Sequence, residues 1–341
     1  MLLDWVMRFL SRDLAMDLGT ANTLIYQKGQ GIVLNEPSVV ALTVDTRKVV
    51  AVGQEAKEFL GRTPMKIEAI RPMKDGVIAD FNTTQEMIRF FLTKVQGSRR
   101  IVKPRIVIGV PTGITQVEKR AVIEAAQMAG AREVYLIDEP MAAAIGAGLR
   151  IHEPYGNMIV DIGGGTTEVA VISLSAIAYS ESVRVAGDEV NEAIMRYMQK
   201  KHQLLIGENT AEQAKIAIGN AYPLDVPQVY PIRGKEMISG RPRVVEVNDV
   251  EIREALAEPV STILEAVRRA LEKTAPELAA DIYDSGITLA GGGALLKGLD
   301  KLIAKETQLK VNLTQDPLTS VALGTGLAME SLNEYKRVFV N

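Results

Sequence analysis

Asp161-Ile162-Gly163-Gly164-Gly165-Thr166-Thr167 follows the apolar run Met158-Ile159-Val160 and leads into Glu168-Val169-Ala170-Val171-Ile172. Apolar, β-branched runs on either side of a glycine cluster read as strand, turn, strand. The same form stands near the start of the chain. Asp17-Leu18-Gly19-Thr20-Ala21-Asn22-Thr23 has a short apolar lead-in and precedes Leu24-Ile25-Tyr26. Both are Asp-x-Gly-x-x-x-Thr turns between strands. Two similar hairpins so far apart predict two similar lobes, each offering one turn to a shared cleft.

A turn rich in Gly and Thr lets backbone N–H groups approach an anion closely, and its hydroxyls add donors. An Asp at the strand end cannot bind phosphate, but it can hold Mg²⁺ or its waters, and Mg²⁺ favours one or two carboxylates plus phosphate oxygens. Singly, each segment is as well read as an ordinary glycine turn. As a matched pair they predict a clamp for a triphosphate and its metal.

A third segment, Ile287-Thr288-Leu289-Ala290-Gly291-Gly292-Gly293-Ala294, reads as a strand running into a glycine turn and then a helix. Bare backbone there accepts a flat group, which predicts the place of a nucleoside. Glu212 and Lys215, in a helix over Ala211–Ile218, would wall the sugar; an exposed i,i+3 ion pair explains the same spacing. Asp138-Glu139-Pro140 ends a strand and opens the small-residue helix Met141–Leu149. A carboxylate at that corner orients a water for in-line attack on a γ-phosphate, or it is a helix-start charge favoured by the dipole. Gly-x-x-x-x-Gly-Lys-Ser/Thr and Gly-x-Gly-x-x-Gly are both absent, against a P-loop or Rossmann site.

Outward from these motifs, strands (Arg105–Val110, Glu133–Ile137, Met158–Asp161, Glu168–Ser173, Ile287–Leu289) alternate with helices (Gln116–Ala129, Glu189–His202, Val250–Lys273, Gly298–Glu306, Ser320–Leu332). The class is α/β with partly parallel sheets. Pro259 is expected to kink the Val250–Lys273 helix.

The 341 residues suit about two domains. Lys plus Arg (39) against Asp plus Glu (42) gives −3, with no basic excess for nucleic acid. Without Cys there are no disulfides or thiolate chemistry, and two histidines, His152 and His202, leave almost no material for a His relay or His metal site. No apolar run reaches the roughly 18 residues of a membrane span, and a cytoplasmic protein is expected.

With Pro111-Thr112-Gly113-Ile114-Thr115 before a helix, this constellation resembles the actin, Hsp70 and hexokinase superfamily. Ile137-Asp138-Glu139-Pro140-Met141-Ala142-Ala143-Ala144-Ile145-Gly146, the Asp161–Ser173 hairpin and Ala186-Gly187-Asp188-Glu189 resemble, more narrowly, the MreB family of bacterial actins, over nearly the whole chain. The resemblance implies an actin-like, ribonuclease H-like duplicated fold of two lobes and four subdomains around a nucleotide cleft. Subdomain IA would take 13–32, 66–146 and 318–341; IB 33–65; IIA 147–181 and 245–317; IIB 182–244. ATP and Mg²⁺ are the implied cofactors. Asp17 and Asp161 would organise the metal through water. Thr20, Ala21, Asn22, Gly163, Gly164 and Gly165 would meet phosphates. Glu139 and Thr166 would position the attacking water, and Glu212, Gln213, Ala214, Lys215, Gly291, Gly292, Gly293 and Ala294 would hold the nucleoside. The family also implies slow ATP hydrolysis, paired filaments of the chain with itself, and cell-wall elongation proteins and membrane adaptors as partners in shaping a rod cell. Rivals are a small-molecule kinase of the same superfamily and an Hsp70-like chaperone, for whose peptide-binding domain the chain is expected to be too short.

On a helix over residues 1–12, Leu2, Trp5, Val6, Phe9 and Leu10 gather on one side, with Leu3 beside them, while Asp4, Arg8, Ser11 and Arg12 face away. This suits an interfacial membrane helix on the inner face of the cytoplasmic membrane, with the single Trp at the boundary; a first helix docked on its own core is the alternative. Ile101 and Val102, set among Arg99, Arg100, Lys103 and Arg105, add a second contact to anionic lipid or form an ordinary solvated loop.

Overall fold

A computed structural model of the chain describes residues 13–96 and 103–340. The expected lipid-facing residues Leu2, Leu3, Trp5, Val6, Phe9, Leu10, Ile101 and Val102 lie outside the described residues.

Two five-stranded sheets carry the molecule, and their order is the same. In the first, Glu133–Asp138, Arg105–Val110 and Leu14–Leu18 are parallel neighbours, and Leu14–Leu18 continues as an antiparallel meander through Asn22–Gln27 and Gly31–Pro37. In the second, Val311–Leu313, Ile287–Ala290 and Asn157–Ile162 are parallel, and Thr167–Ser173 and Ala176–Val183 complete the meander. The duplication expected from the two hairpins is therefore a duplication of whole sheets. The two aspartates occupy matching places in it: Asp17 registers with Gly109 on the parallel neighbour, and Asp161 with Ala290.

Period-two alternation decides what each strand face meets. Leu14, Met16, Ile106 and Ile108 turn into a core with Met87 and Phe91 of the Phe81–Gln96 helix. Val160 and Ile162 turn into a second core with Ile194, Met198, Ile263 and Val267. The opposite faces, Ala15 and Val107 from one sheet and Ile159 and Ala170 from the other, share a third core between the lobes. Asp17 and Asp161 continue the phase of Ala15 and Ile159, so each aspartate ends its strand on the face toward the other lobe.

Two helices fill that central core, Glu139–Gly146 and Ser320–Glu330. A Cβ at Gly324 would stand 1.8 Å from the Ala142 carbonyl, and one at Gly146 2.0 Å from that of Ser320. Only glycine lets the two backbones run this close. The small-residue run after Glu139 is thus explained by packing. That helix starts at Glu139, two residues before the expected Met141, because Pro140 sits in its first turn, where the missing N–H costs nothing. It ends before Leu149 because Gly148 turns to φ 70°.

Each lobe carries a smaller, three-stranded sheet. Val49–Val52, Val40–Thr43 and Ile67–Ile70 pack with the Gln54–Phe59 helix, and Leu204–Leu205, Val229–Glu236 and Pro242–Asn248 adjoin the Gly187–His202 and Glu208–Ile218 helices. The interruption expected from Pro259 is present as a break: the segment is two helices, Asp249–Ala255 and Ala257–Lys273, meeting at Leu256. Pro259, without an N–H, withdraws the bond to the Ala255 carbonyl that would carry one helix through.

Candidate functional site

A cavity of about 480 Å³ opens between the lobes. From the first lobe it is lined by Asp17, Thr20, Ala21, Asn22 and Glu139, and from the second by Asp161, Gly163, Gly164, Gly165 and Thr166. Glu212, Lys215, Gly291, Gly292 and Gly293, also of the second lobe, complete the lining. Three expected residues do not line it. Gln213 is exposed, and Ala214 and Ala294 are buried in the core of the second lobe. Helical phase explains this: Glu212, Lys215, Ile216 and Gly219 share the cavity face, while Ala211, Ala214 and Ile218 share the core face.

The two glycine turns touch. A Cβ at Gly164 would lie 2.7 Å from the Cβ of Ala21, and one at Gly165 2.7 Å from Thr20 Oγ1. The second turn is held by the start of the Gly187–His202 helix: the Gly187 amide donates to the Gly163 carbonyl at 3.2 Å and the Asp188 amide to the Gly164 carbonyl at 2.8 Å. In a trans peptide N–H points opposite to C=O. The amides of Gly164 and Gly165 therefore point away from that helix, on glycines that line the cavity. The sequence reading missed a third turn here. Asp75 and Gly76, at φ 51° and 74°, form the tip of the Met73–Lys74/Val77–Ile78 hairpin. The Gly76 amide donates to Thr20 Oγ1 at 3.0 Å, and Asp75 lies against Gly165. An Asp-Gly pair between short apolar runs was the available signal.

The floor of the cavity is acidic. Burial, and then the charge of Asp17 and Glu168, pushes Asp161 up to about 8. Burial pushes Asp17 up to about 7. Glu139 is 8 % exposed and is raised well above the usual carboxylate range, first by burial and then by Asp17, Glu168, Asp161 and Asp138. Asp161 Oδ1 is buried without a hydrogen-bond partner. Unpaired buried carboxylates are costly, and an oxygen left without a donor fits a cation or its water. Among the described residues no three acidic or His side chains converge as direct metal ligands. Two carboxylates acting with water suit Mg²⁺, which keeps much of its hydration shell.

On the Glu208–Ile218 helix, the i,i+3 alternative does not describe the contacts. Lys215 Nζ donates to the Gly187 carbonyl at 3.1 Å, and Glu212 Oε2 lies 3.1 Å from Lys57 Nζ of the first lobe. Arg71 of the first lobe pairs with Glu208, one turn earlier on the same helix. Lys57 and Arg71 both line the cavity. Nothing in local sequence marks them, because their partners lie far along the chain. His152 bonds Ser175 Oγ at 2.8 Å and His202 bonds Glu251 Oε1 at 2.9 Å, both away from the cavity.

The sequence model of the MreB/Mbl protein family matches residues 11–337. The chain belongs to the MreB/Mbl family. It is 56% identical over 328 residues to the cell shape-determining protein MreB of Escherichia coli (strain K12), covering 95% of this chain and 94% of that protein. It is 50% identical over 324 residues to the cell shape-determining protein Mbl of Bacillus subtilis (strain 168), covering 95% and 97%. The crystal structure of MreB5 of Spiroplasma citri bound to ADP superposes with a TM-score of 0.91 at 35% identity, over 95% of this chain and 98% of that one. The MamK double helical filament superposes at 0.81 and 22% identity, over 93% and 99%, a likeness of fold. The fold of this MreB/Mbl member is actin-like, as the resemblance implied.

Proposed function

We propose that this MreB/Mbl member is an ATP-hydrolysing, actin-like filament protein that shapes a rod cell by organising peptidoglycan synthesis at the inner face of the cytoplasmic membrane. The observation that carries the reading is the contact between the turns of the two lobes, Gly164 against Ala21, at the head of a cavity with buried carboxylates beneath. The ADP-bound relative and the names of the shape-determining relatives support it.

In this reading the amides of Gly164 and Gly165, with Thr20, Ala21, Asn22 and Gly163, receive the phosphates. Gly291, Gly292 and Gly293 face the nucleoside, and Glu212 and Lys215 its sugar. Asp17 and Asp161 hold magnesium through water, and the ion supplies positive charge to the phosphate oxygens and to the carboxylates around it. Glu139, in its ionised form, accepts a hydrogen bond from the attacking water and orients it in line, and the Thr166 hydroxyl fixes that water's second contact. The lobes divide into the four subdomains given above, so that the small sheets form the walls of the cleft mouth.

Membrane attachment has its own support. Leu14 registers with Ile106 on the parallel neighbour, so both of these strands begin at the same end of the sheet. Two weak lipid contacts add through avidity, and a filament multiplies them. Among the described residues no helix is long and apolar enough to cross a membrane. Wall-elongation proteins and membrane adaptors are the partners of this reading.

Electron microscopy of the purified chain on an anionic lipid monolayer, with and without Mg-ATP, tests it. Paired filaments on the lipid with nucleotide are expected. A bare monolayer over a range of salt and protein concentration, with ATP still bound, overturns it in favour of a kinase-like enzyme.

A further inference from the structure

We propose that Lys57 is a positioning residue of the nucleotide site, reaching from the first lobe to hold the Glu212 carboxylate of the second. The two side chains line one cavity, with Lys57 Nζ 3.1 Å from Glu212 Oε2. The inference rests on the reading of Glu212 as the carboxylate that faces the sugar.

The contacts on the Glu208–Ile218 helix leave this role to Lys57. Lys215, on the same helix, donates to the Gly187 carbonyl at 3.1 Å, whereas the cation that pairs with Glu212 is Lys57, at 3.1 Å. Glu208 and Glu212, one turn apart, share a helix face, and each takes a cation from the opposite lobe, Arg71 and Lys57. The Lys57 and Glu212 side chains are 28% and 31% exposed, so their attraction is less screened than that of a fully solvated pair. An ionised carboxylate offers about four acceptor sites. One ammonium therefore leaves room for sugar hydroxyls while it fixes the rotamer, and the ordering of that side chain is made in advance of binding.

The ligand class that follows is a nucleoside di- or triphosphate with free ribose hydroxyls. Lys57 lies on the Gln54–Phe59 helix beside the small sheet of the first lobe. The complete sugar contact therefore exists only while the lobes are together. A ribonucleotide favours closure more than a sugar-deleted analogue does, and closure in turn favours the ribonucleotide.

The test compares ADP with 2′,3′-dideoxy-ADP, by equilibrium binding to the full chain carrying Lys57→Ala, Lys57→Arg or Glu212→Gln. Lys57→Ala is expected to weaken ADP by about five- to tenfold, in the range of ordinary site coupling, and to leave the dideoxy analogue nearly unchanged, so that the preference for ribose collapses. Lys57→Arg, which keeps the charge, restores it. A full ribose preference in Lys57→Ala, with its loss in Glu212→Gln, overturns the role of Lys57 and leaves the sugar reading standing. A full preference in Glu212→Gln overturns the sugar reading and this inference with it.

Discussion

The carboxylate of Glu168, in the second lobe, accepts the backbone amide of Thr112, in the first, at 3.2 Å, and the Thr112 hydroxyl as well. Its other oxygen accepts Ser182 Oγ at 2.5 Å. Glu168 is 1% exposed, so the lobes are tied by a buried group whose two oxygens are engaged from opposite sides. Burial raises its carboxyl against the lowering effect of these bonds.

Thr112→Val keeps the shape and removes the hydroxyl donor. Glu168 keeps the Thr112 amide and the Ser182 hydroxyl but loses one hydrogen bond to a charged group, worth about 1.5–3 kcal/mol. Urea unfolding of the Thr112→Val chain should show a lower midpoint by that amount with the slope unchanged, and an unmoved midpoint would mean that solvent reaches Glu168.

Gly324→Ala tests the central helix pair. The added Cβ meets backbone, the Ala142 carbonyl at 1.8 Å and the Gly146 nitrogen at 2.6 Å, and backbone cannot swing aside as a flexible side chain can. Overpacking costs roughly 1–3 kcal/mol and occasionally more. Thermal unfolding should show a clear loss, whereas an exposed Gly29→Ala control, with nothing near its Cβ, reports only the strain of a positive φ.

What the sequence disclosed follows from how local each cause is. The hairpins at Asp17 and Asp161 carry their own turn chemistry and alternation, and the strand Arg105–Val110 and helix Gln116–Ala129 begin and end where their residues say. Thr115 and Glu118 form a reciprocal cap at the start of that helix. Lys57 and Arg71 were not legible, because they reach the cleft through pairs with Glu212 and Glu208 across the two lobes. Gln213, Ala214 and Ala294 were carried over as parts of continuous segments, whereas a helix or tight turn presents only some of its residues to a cavity. The break at Leu256 was legible through Pro259, whose missing N–H cannot bond the Ala255 carbonyl.

Deprotonating Asp17 and Asp161 should destabilise the nucleotide-free protein. Both carboxyls are raised, from 3.8 to about 7 and about 8, with burial the leading cause. A folded-state pKa above the unfolded value means that the fold binds protons more tightly. That stability is present in full below the unfolded value and is lost as pH rises through 7 to 8. In chelator, these two groups should lower the melting temperature progressively from about pH 4 to about pH 8 and no further above it, and saturating Mg-ADP should flatten the slope. A flat profile without nucleotide would separate the two carboxylates.

Glu139→Ala should divide binding from hydrolysis. The side chain lines the cavity at the first residue of its helix, where the charges of Asp17, Glu168 and Asp161 bear on it. Removing it relieves repulsion among buried carboxylates, so ADP affinity should hold or rise. Loss of the water's orientation should lower phosphate release by about 10²- to 10⁴-fold. Glu139→Gln separates geometry from charge, since it keeps the shape and one acceptor oxygen. If positioning dominates, Gln retains part of the rate; if proton acceptance dominates, Gln falls as far as Ala. Equal ADP affinity with wild-type turnover in Glu139→Ala would remove Glu139 from the reaction and leave its burial to helix packing.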